Sequence, residues 1–308
     1  MHPTRFFTVW ATVWCLVAPA AAWNGTGHRI VAAIAYEKLT PKARSRVDDL
    51  IRKHPDYAAV FAKGAPADRA ALARAAFLTA ANWPDMIRAG DPRFYDETRK
   101  DAVPTPPLPG FPDMARHAGW HFIDIPYTPE GAAGEPPRKP NALTELQRIL
   151  REIKSPPGEQ QIVYDLPWLE HLVGDVHQPL HCTSRFLRSQ PKGDAGGNFV
   201  FVAPGRTLHS VWDDAPGTDS SDEYVTNYAT KATAWLPIRH IVEDPKKWVE
   251  ESFKLDRTDV YTFGPEIGSR EHPITLPNGY VENAASIAEL RIAAAGYRLA
   301  AVLNDLLR

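Results

Sequence analysis

The sequence predicts a mainly α-helical protein: a single compact multi-helix domain with one small β-hairpin. Three observations support this fold class. The 308 residues are 44% hydrophobic and 23% charged, a balance typical of globular proteins with a substantial core. Apolar residues recur at helical spacing in several segments. No internal repeat and no low-complexity tract divides the chain.

The beginning of the chain has the features of a cleaved export signal. A basic residue precedes an apolar run, and Ala20 and Ala22 suit cleavage in front of Trp23. The run is shorter than the roughly 20 residues of a membrane span, so removal is favoured over a retained anchor. We therefore expect residues 1–22 to be a signal peptide and residues 23–308 to form the mature domain. The processed protein would be periplasmic or secreted, without a membrane anchor.

Helical spacing recurs along the mature chain, and Asp68 is a suitable N-cap for one of the segments. The predicted helices are Ile30–Leu39, Asp68–Ala81, Ala142–Ile153, Ile162–Val176 and Ala284–Leu307. In the last helix an apolar stripe predicts the face that packs on the core. That stripe consists of Ile287, Leu290, Ala294, Tyr297, Ala301 and Leu303.

Proline and glycine mark the irregular parts of the chain. The Pro-rich segments Val103–Pro112 and Pro126–Pro140 predict surface loops. The Gly-rich turn at 194–198 leads into Phe199–Val202, which predicts a short hairpin. Cys182 is the one cysteine after residue 22, which excludes an intrachain disulfide in the mature chain. A small buried side chain is favoured there over a ligand or nucleophile.

Charge excludes one simple mode of nucleic-acid binding. With 35 Lys and Arg against 37 Asp and Glu, the formal net charge is −2. A protein that binds nucleic acid by neutralising phosphates with a general excess of positive charge is therefore excluded.

Histidines and aspartates recur at spacings typical of metal ligands. His171 and Asp175 are four residues apart and would share one face of a helix, and His209 and Asp213 repeat that spacing. A single such pair is typical of a solvated helix surface, but several together favour a metal site. Nitrogen and oxygen ligands suit zinc, with iron and manganese left open. Further candidates lie in Asn82-Trp83-Pro84-Asp85 with Arg88, in Trp120-His121-Phe122-Ile123-Asp124, and in His177-Gln178-Pro179-Leu180-His181.

These ordered motifs resemble those of the S1/P1 nuclease family, zinc-dependent nucleases related in fold to bacterial zinc phospholipase C. The resemblance covers nearly the whole mature chain and implies the phospholipase C/P1 nuclease-like helical fold. It also rests on Trp23-Asn-Gly-Thr-Gly-His28, Gly196-Gly197-Asn198, Leu208-His209-x-x-Trp212-Asp213 and Ala288-Glu-Leu-Arg-Ile-Ala293.

The resemblance implies a cofactor of three Zn²⁺ ions. The first would be held by Asp85, His121, His171 and Asp175. The second would be held by His181, His209 and Asp213. The third would be held by His28, by Asp175 as a bridge, and by the α-amino nitrogen and carbonyl oxygen of Trp23. An α-amine can bind a metal only when no peptide bond precedes it, so this last ligand requires cleavage before Trp23.

The resemblance also implies catalytic and substrate-binding roles. Asp124 would orient or deprotonate the attacking water, and Arg88 would stabilise negative charge in the transition state. Phe122, Gly196 and Asn198 would contact a base, and stacking on Phe122 needs an unpaired one. The implied substrates are single-stranded DNA and RNA, cleaved to 5′-phosphate products by an endonuclease, together with 3′-nucleotides. We expect a monomer.

Each of these roles has a structural alternative. Asp124 could anchor the loop after the metal ligands, Arg88 could pair with Asp85, Phe122 could be core, and Asn198 could serve its turn. Two other functions stay open: a phospholipase C-like phosphodiesterase and a non-catalytic zinc-binding envelope protein. His177 has no place in the family's ligand pattern, and we expect it to hydrogen-bond.

Overall fold

The computed structural model describes residues 23–155, 158–234 and 244–307. The predicted signal peptide lies outside the described residues, and so does His240, a histidine that belongs to none of the motifs above. Within these ranges the structure is mostly helical, which confirms the predicted fold class. The α-helices are α1 Gly25–Lys38, α2 Pro41–Lys53, α3 Arg69–Ala80, α4 Trp83–Arg88, α5 Ala142–Lys154, α6 Glu159–Asp175, α7 Leu208–Asp213, α8 Asp222–Thr233, α9 Pro245–Leu255 and α10 Tyr280–Leu306.

The strands are short and form two separate pairs. Strands β1 (Ile125–Tyr127) and β2 (Thr183–Arg185) run parallel. The predicted hairpin is present, with β3 (Phe201–Val202) antiparallel to β4 (Arg206–Thr207). Its first strand starts two residues later than predicted. Two residues at the start of the predicted loop 126–140 belong to β1, so that prediction was wrong at its boundary.

Helices α1 and α6 lie at the centre of the domain. Helix α1 packs against α3, α6, α8 and α10, and α6 also contacts α2, α4 and α5. Every residue of α6 from Ile162 to Asp175 is buried, which is typical of a helix surrounded by the rest of the fold. The polar side chains at its C-terminal end are therefore held in the interior. No helix in the described ranges is long and apolar enough to cross a membrane.

Side-chain caps set where two of the helices begin. The Asp68 carboxylate accepts hydrogen bonds from two backbone N–H groups in the first turn of α3, which confirms the predicted N-cap. The Asn24 side chain accepts from Gly27, so α1 begins before the segment where helical spacing is evident. As a result His28 lies in the first turn of α1 and not in the preceding loop.

The core-facing side of α10 matches the predicted stripe only in part, because Tyr297 and Leu303 are buried as predicted. Leu290 is 55% exposed, whereas the neighbouring alanines Ala284 and Ala288 are buried. The physical reason is close approach: a Cβ at Gly296 would lie 2.5 Å from the Cβ of Ile34 on α1. Small residues let the two helices meet at that point, alongside larger apolar residues of α10 that are also buried.

Candidate metal centre

Four ligand-type side chains from three elements converge on one point. Asp85 comes from α4, His121 from the 3-10 turn Ala118–His121, and His171 and Asp175 from α6. The His121 Nδ1 lies 2.9 Å from His171 Nε2. It also lies 3.3 Å from Asp175 Oδ2 and 3.7 Å from Asp85 Oδ1. From His171 Nε2, the Asp175 oxygen is at 3.4 Å and the Asp85 oxygen at 3.7 Å.

These separations match the edges of a zinc coordination tetrahedron. With zinc–ligand bonds of about 2.0–2.1 Å, neighbouring ligand atoms are about 3.3–3.4 Å apart. The five separations above scatter around that value, from 2.9 to 3.7 Å. The side chains therefore fit a zinc ion by both chemistry and spacing.

Asp175 joins this group to a second one at His28. The His28 Nε2 lies 3.3 Å from Asp175 Oδ1, while the other Asp175 oxygen faces His121 and His171. Both Asp175 oxygens and both His28 nitrogens are buried without a hydrogen-bond partner among the described residues. An unpaired buried carboxylate is costly, so this arrangement favours a carboxylate that bridges two cations. Trp23 is also buried. It packs against the first turn of α1 so closely that a Cβ at Gly27 would lie 2.6 Å from the Trp23 Cβ.

A third group consists of His181, His209 and Asp213. The Nε2 atoms of the two histidines are 3.1 Å apart, and His209 Nε2 is 3.4 Å from Asp213 Oδ1. Ligand atoms lie within 4.8 Å of one another in three sets: His28 with His171 and Asp175, Asp85 with His121 and His171, and His181 with His209 and Asp213. The structure thus gathers eight of the nine predicted ligand residues into three groups, and places the ninth, Trp23, beside the helix turn that carries His28.

Backbone carbonyls orient the histidine rings. Metal-binding histidines commonly donate their second ring N–H to such a group, which fixes the tautomer. The pairs are His171 Nδ1 with the Ala81 carbonyl at 2.8 Å, His181 Nδ1 with that of His121 at 2.6 Å, and His209 Nδ1 with that of Gly196 at 2.6 Å.

Two residues around the third group have roles that the sequence did not reveal. Gly196, predicted to bind substrate, points its carbonyl at His209; its φ is 61° and a side chain there would collide with the Leu180 carbonyl. Gln178 is buried and donates from Nε2 to Asp213 Oδ1 over 2.8 Å. The side-chain oxygen of Gln178, Oε1, accepts a hydrogen bond from the Leu180 backbone N–H over 2.6 Å. The one signal for Gln178 in the sequence was its position between two histidines.

Burial sets the protonation states of the centre. It lowers the pKa of His28 to about 4, against an opposing effect of Asp85. Burial also lowers the pKa of His121 and His181 well below the usual value, and it raises the pKa of Asp175 well above its own. These three imidazoles are therefore neutral at pH 7, which is the form that binds metal.

The predicted catalytic residues line one cavity of about 790 Å³, which Phe122 also lines. Arg88 Nη1 lies 3.8 Å from the ligand oxygen of Asp85. Asp124 has a left-handed backbone, with φ of 51°. Burial and the nearby Asp194 carboxylate raise the pKa of Asp124 to about 6, opposed by Arg138. Such strained backbone at a non-glycine residue is often found at functional sites.

Asn198 has a clear local role in its turn. Its side-chain amide donates to the Ala195 carbonyl over 2.8 Å, and its backbone N–H donates to the same oxygen. Ala195 itself lines the cavity. The turn that Asn198 supports therefore forms part of the cavity wall.

Comparison with known proteins adds an independent line of evidence. The family profile described as S1/P1 Nuclease matches residues 23–308. Nuclease S1 of Aspergillus oryzae is 24% identical over 214 residues, which cover 60% of this chain and 70% of that protein. Endonuclease 5 and Endonuclease 4 of Arabidopsis thaliana are 28% and 30% identical over 159 residues, 45% of this chain. The chain thus matches about half the length of these two plant proteins.

Proposed function

Because the chain belongs to the S1/P1 nuclease family and is accordingly a phosphodiester hydrolase, we propose that it is a zinc-dependent endonuclease of single-stranded DNA and RNA. The products carry 5′-phosphates, and 3′-nucleotides are a second substrate class. Three zinc ions are the cofactor, one for each group of ligands. The protein is exported and acts as a monomer.

One observation carries this proposal: Arg88 and Asp124 line the same cavity, and Arg88 Nη1 also lies 3.8 Å from Asp85 Oδ1 in the first ligand group. Neither side chain belongs to a ligand group, so a site that only stabilised the fold would have no use for them. Zinc supplies Lewis-acid polarisation of phosphate oxygens and a nucleophile at neutral pH. The protein side chains supply positioning, proton transfer and charge.

Asp124 suits the role of general base. Its carboxyl has a pKa raised to about 6 by burial and by Asp194, close to the pH at which a base works best. It accepts the proton of the attacking water while the left-handed backbone keeps it pointed at the cavity. Arg88, held near Asp85, donates to the phosphate oxygens on which negative charge builds up.

Phe122 accounts for a preference for single strands. It is half-buried and lines the cavity, and in the chain it lies between the predicted ligand His121 and Asp124. A base can stack on its ring only when it is not paired in a duplex. The base specificity of the enzyme would depend on the polar groups around this ring.

The first experiment measures hydrolysis of a single-stranded oligonucleotide by zinc-loaded protein that begins at Trp23, with and without a zinc chelator. We expect cleavage that the chelator abolishes, and products with 5′-phosphates. Phosphatidylcholine vesicles serve as the parallel substrate. Cleavage of the lipid alone would favour a phospholipase C-like enzyme, and cleavage of neither would favour a non-catalytic zinc protein.

The role of Asp124 is tested by Asp124→Asn. This change should keep the zinc content and abolish turnover, because the amide cannot accept the proton. Asp101→Asn is the matched control, since Asp101 is an exposed carboxylate paired with Arg99. Unchanged turnover in Asp124→Asn would remove this residue from the mechanism.

We also propose that cleavage before Trp23 completes the His28 group with the free α-amine and carbonyl of Trp23. Two contacts support this: Trp23 packs on the helix turn that carries His28, and the next residue, Asn24, donates its N–H to the Asp213 carbonyl over 3.1 Å. A short extension ahead of Trp23 should lower zinc content and activity together. Full zinc content in the extended protein would rule out the α-amine as a ligand.

A further inference from the structure

The cavity that holds Asp124 contains cations that the proposed chemistry does not use. Besides Arg88, it is lined by Arg138, Lys139 and Lys192. Lys139 belongs to the loop before α5, and Lys192 belongs to the loop after β2. Two separate segments of the chain thus bring positive charge to the same space.

The four cations outnumber by one the acids that line the cavity, which are Glu97, Asp124 and Glu135. Lys139 and Lys192 are exposed, and neither makes an ion pair within residues 23–155, 158–234 and 244–307. Of the acids that line the cavity, Glu97 accepts hydrogen bonds from the backbone N–H groups of Arg116 and Ala118, at 3.1 and 2.6 Å. The Glu97 carboxylate thus faces its own loop, and Glu135 lies 4.0 Å from Arg138, so neither acid pairs with the two lysines. In a protein with a net charge of −2, unpaired lysines gathered around one cavity favour an anionic ligand.

Three aromatic side chains share this wall. Trp120, Phe122 and Phe186 line the same space as the lysines. Aromatic faces combined with cations are the features that bind bases and phosphates of single-stranded nucleic acids. A volume of about 790 Å³ lies in the upper part of the range for pockets that enclose small-molecule ligands, roughly 300–1,000 Å³.

We propose that Lys139 and Lys192 bind the 5′-phosphate of the nucleotide whose 3′-phosphodiester is cleaved. The base of that nucleotide lies on Phe122, and its 3′-phosphate lies at the metal centre. This inference rests on the proposed nuclease function and extends it to a second phosphate subsite. The enzyme then favours a nucleotide within a strand, or one that carries a 5′-phosphate, over one with a free 5′-hydroxyl.

The test compares two dinucleotides that differ only in a 5′-phosphate, pNpN and NpN, because both contain the same scissile bond. For the zinc-loaded enzyme we expect the KM for pNpN to be lower by roughly three- to tenfold, the scale of two solvent-exposed charge contacts. In the double variant K139A/K192A the KM ratio should fall to about 1, while kcat for NpN stays unchanged. The exposed lysines Lys42 and Lys63, outside the cavity, provide the matched control K42A/K63A.

Salt dependence gives a second readout. On a single-stranded oligonucleotide, the slope of log KM against log salt should decrease by roughly 0.7 for each lysine that contacts phosphate. Equal KM values for the two dinucleotides in the wild type, or an unchanged KM ratio and salt slope in K139A/K192A, would overturn the subsite. If the zinc-loaded enzyme cleaved neither the dinucleotides nor the oligonucleotide, the proposed function itself would fail instead.

Discussion

Replacing Gly174 by alanine separates the stability of α6 from its ability to hold metal. Gly174 precedes the ligand Asp175, and a Cβ at this position would lie 2.7 Å from His28 Nδ1 and 2.9 Å from its Cε1. The His28 ring cannot simply move aside, because it stacks on His171 with ring centroids 3.9 Å apart. The close approach of α1 to α6 therefore depends on the missing side chain.

Two opposing energies decide the outcome of Gly174→Ala. Alanine is favoured over glycine inside a helix by roughly 0.5–1 kcal/mol, whereas overpacking a well-filled interior costs roughly 1–3 kcal/mol. We expect a net loss of about 0.5–2 kcal/mol in the free energy of unfolding of the zinc-free protein. Displacement of the ring should also weaken zinc binding by about 10–100-fold, the scale seen when the orientation of a ligand is disturbed.

The assay combines chemical denaturation in the presence of a chelator with a count of bound zinc. The double variant Gly174→Ala/His28→Ala isolates the cause, since removing the imidazole makes room for the methyl group. In the His28→Ala background, Gly174→Ala should stabilise the protein by about 0.5–1 kcal/mol. A Gly174→Ala protein that is more stable than the wild type and keeps its full zinc content and turnover would contradict the expected clash with His28.

Three further changes test other parts of the structure. Asp56→Ala should lower the free energy of unfolding by about 2–3 kcal/mol, because the buried Trp83 indole N–H donates to this carboxylate over 2.7 Å. A melting temperature equal to that of the wild type within error would contradict this expectation. Burial raises the pKa of Asp124 to about 6, so its base form is lost as the pH falls through 6. We expect kcat/KM to decrease about tenfold per pH unit below that point, and a flat profile from pH 5 to 7 would exclude Asp124 as the base. Gln178→Leu should weaken zinc binding by about 10–100-fold, because the Asp213 oxygen loses the hydrogen bond that the Gln178 amide donates over 2.8 Å. Competition with a chelating dye measures the zinc affinity, and an unchanged affinity would leave Gln178 without a role at the metal.

Local spacing predicted the parts of the site that one helix presents on one face. His171 and Asp175 lie on α6, and His209 and Asp213 lie on α7, with His-to-Asp ligand atoms 3.4 Å apart in both pairs. The convergence of His28 with Asp175 is different, because it results from the packing of α1 against α6. No spacing within the sequence encodes that contact, and its inclusion among the ligands depended on the family resemblance.

What the sequence did not predict has identifiable physical causes. Helices α4 and α7 have six residues each, too few for a helical period to be evident. The left-handed backbone of Asp124 and of His117 is a conformation that Asp and His adopt more often than most residues but still rarely, so the residue type alone does not predict it. The predicted stripe of α10 is only partly correct, because Tyr297 and Leu303 are buried and Leu290 is exposed; small residues at part of the contact contribute little to an apolar stripe.

His177 shows how the C-terminal helix reaches the metal centre. Its ring donates from Nδ1 to the Val173 carbonyl over 2.6 Å, and its Nε2 accepts from Arg298 of α10 over 2.7 Å. The predicted hydrogen-bonding role is thus confirmed. Burial, together with Arg291 and Arg298, lowers the pKa of this histidine well below the usual value. The ring is therefore neutral, which it must be for Nε2 to accept a hydrogen bond from a guanidinium.

The end of α6 is completed by side chains from two other helices. A helix leaves its last carbonyls without partners within the helix, and here Ser252 of α9 donates to the Val176 carbonyl over 2.6 Å. Arg291 of α10 donates to the His177 carbonyl over 3.2 Å. Asp175, which we propose as the bridging ligand, is the last residue of α6 and lies directly before these two carbonyls. Since its two oxygens must face different ligand groups, the position of this helix end determines both groups at once. The contacts from α9 and α10 are therefore part of what holds the metal centre in place.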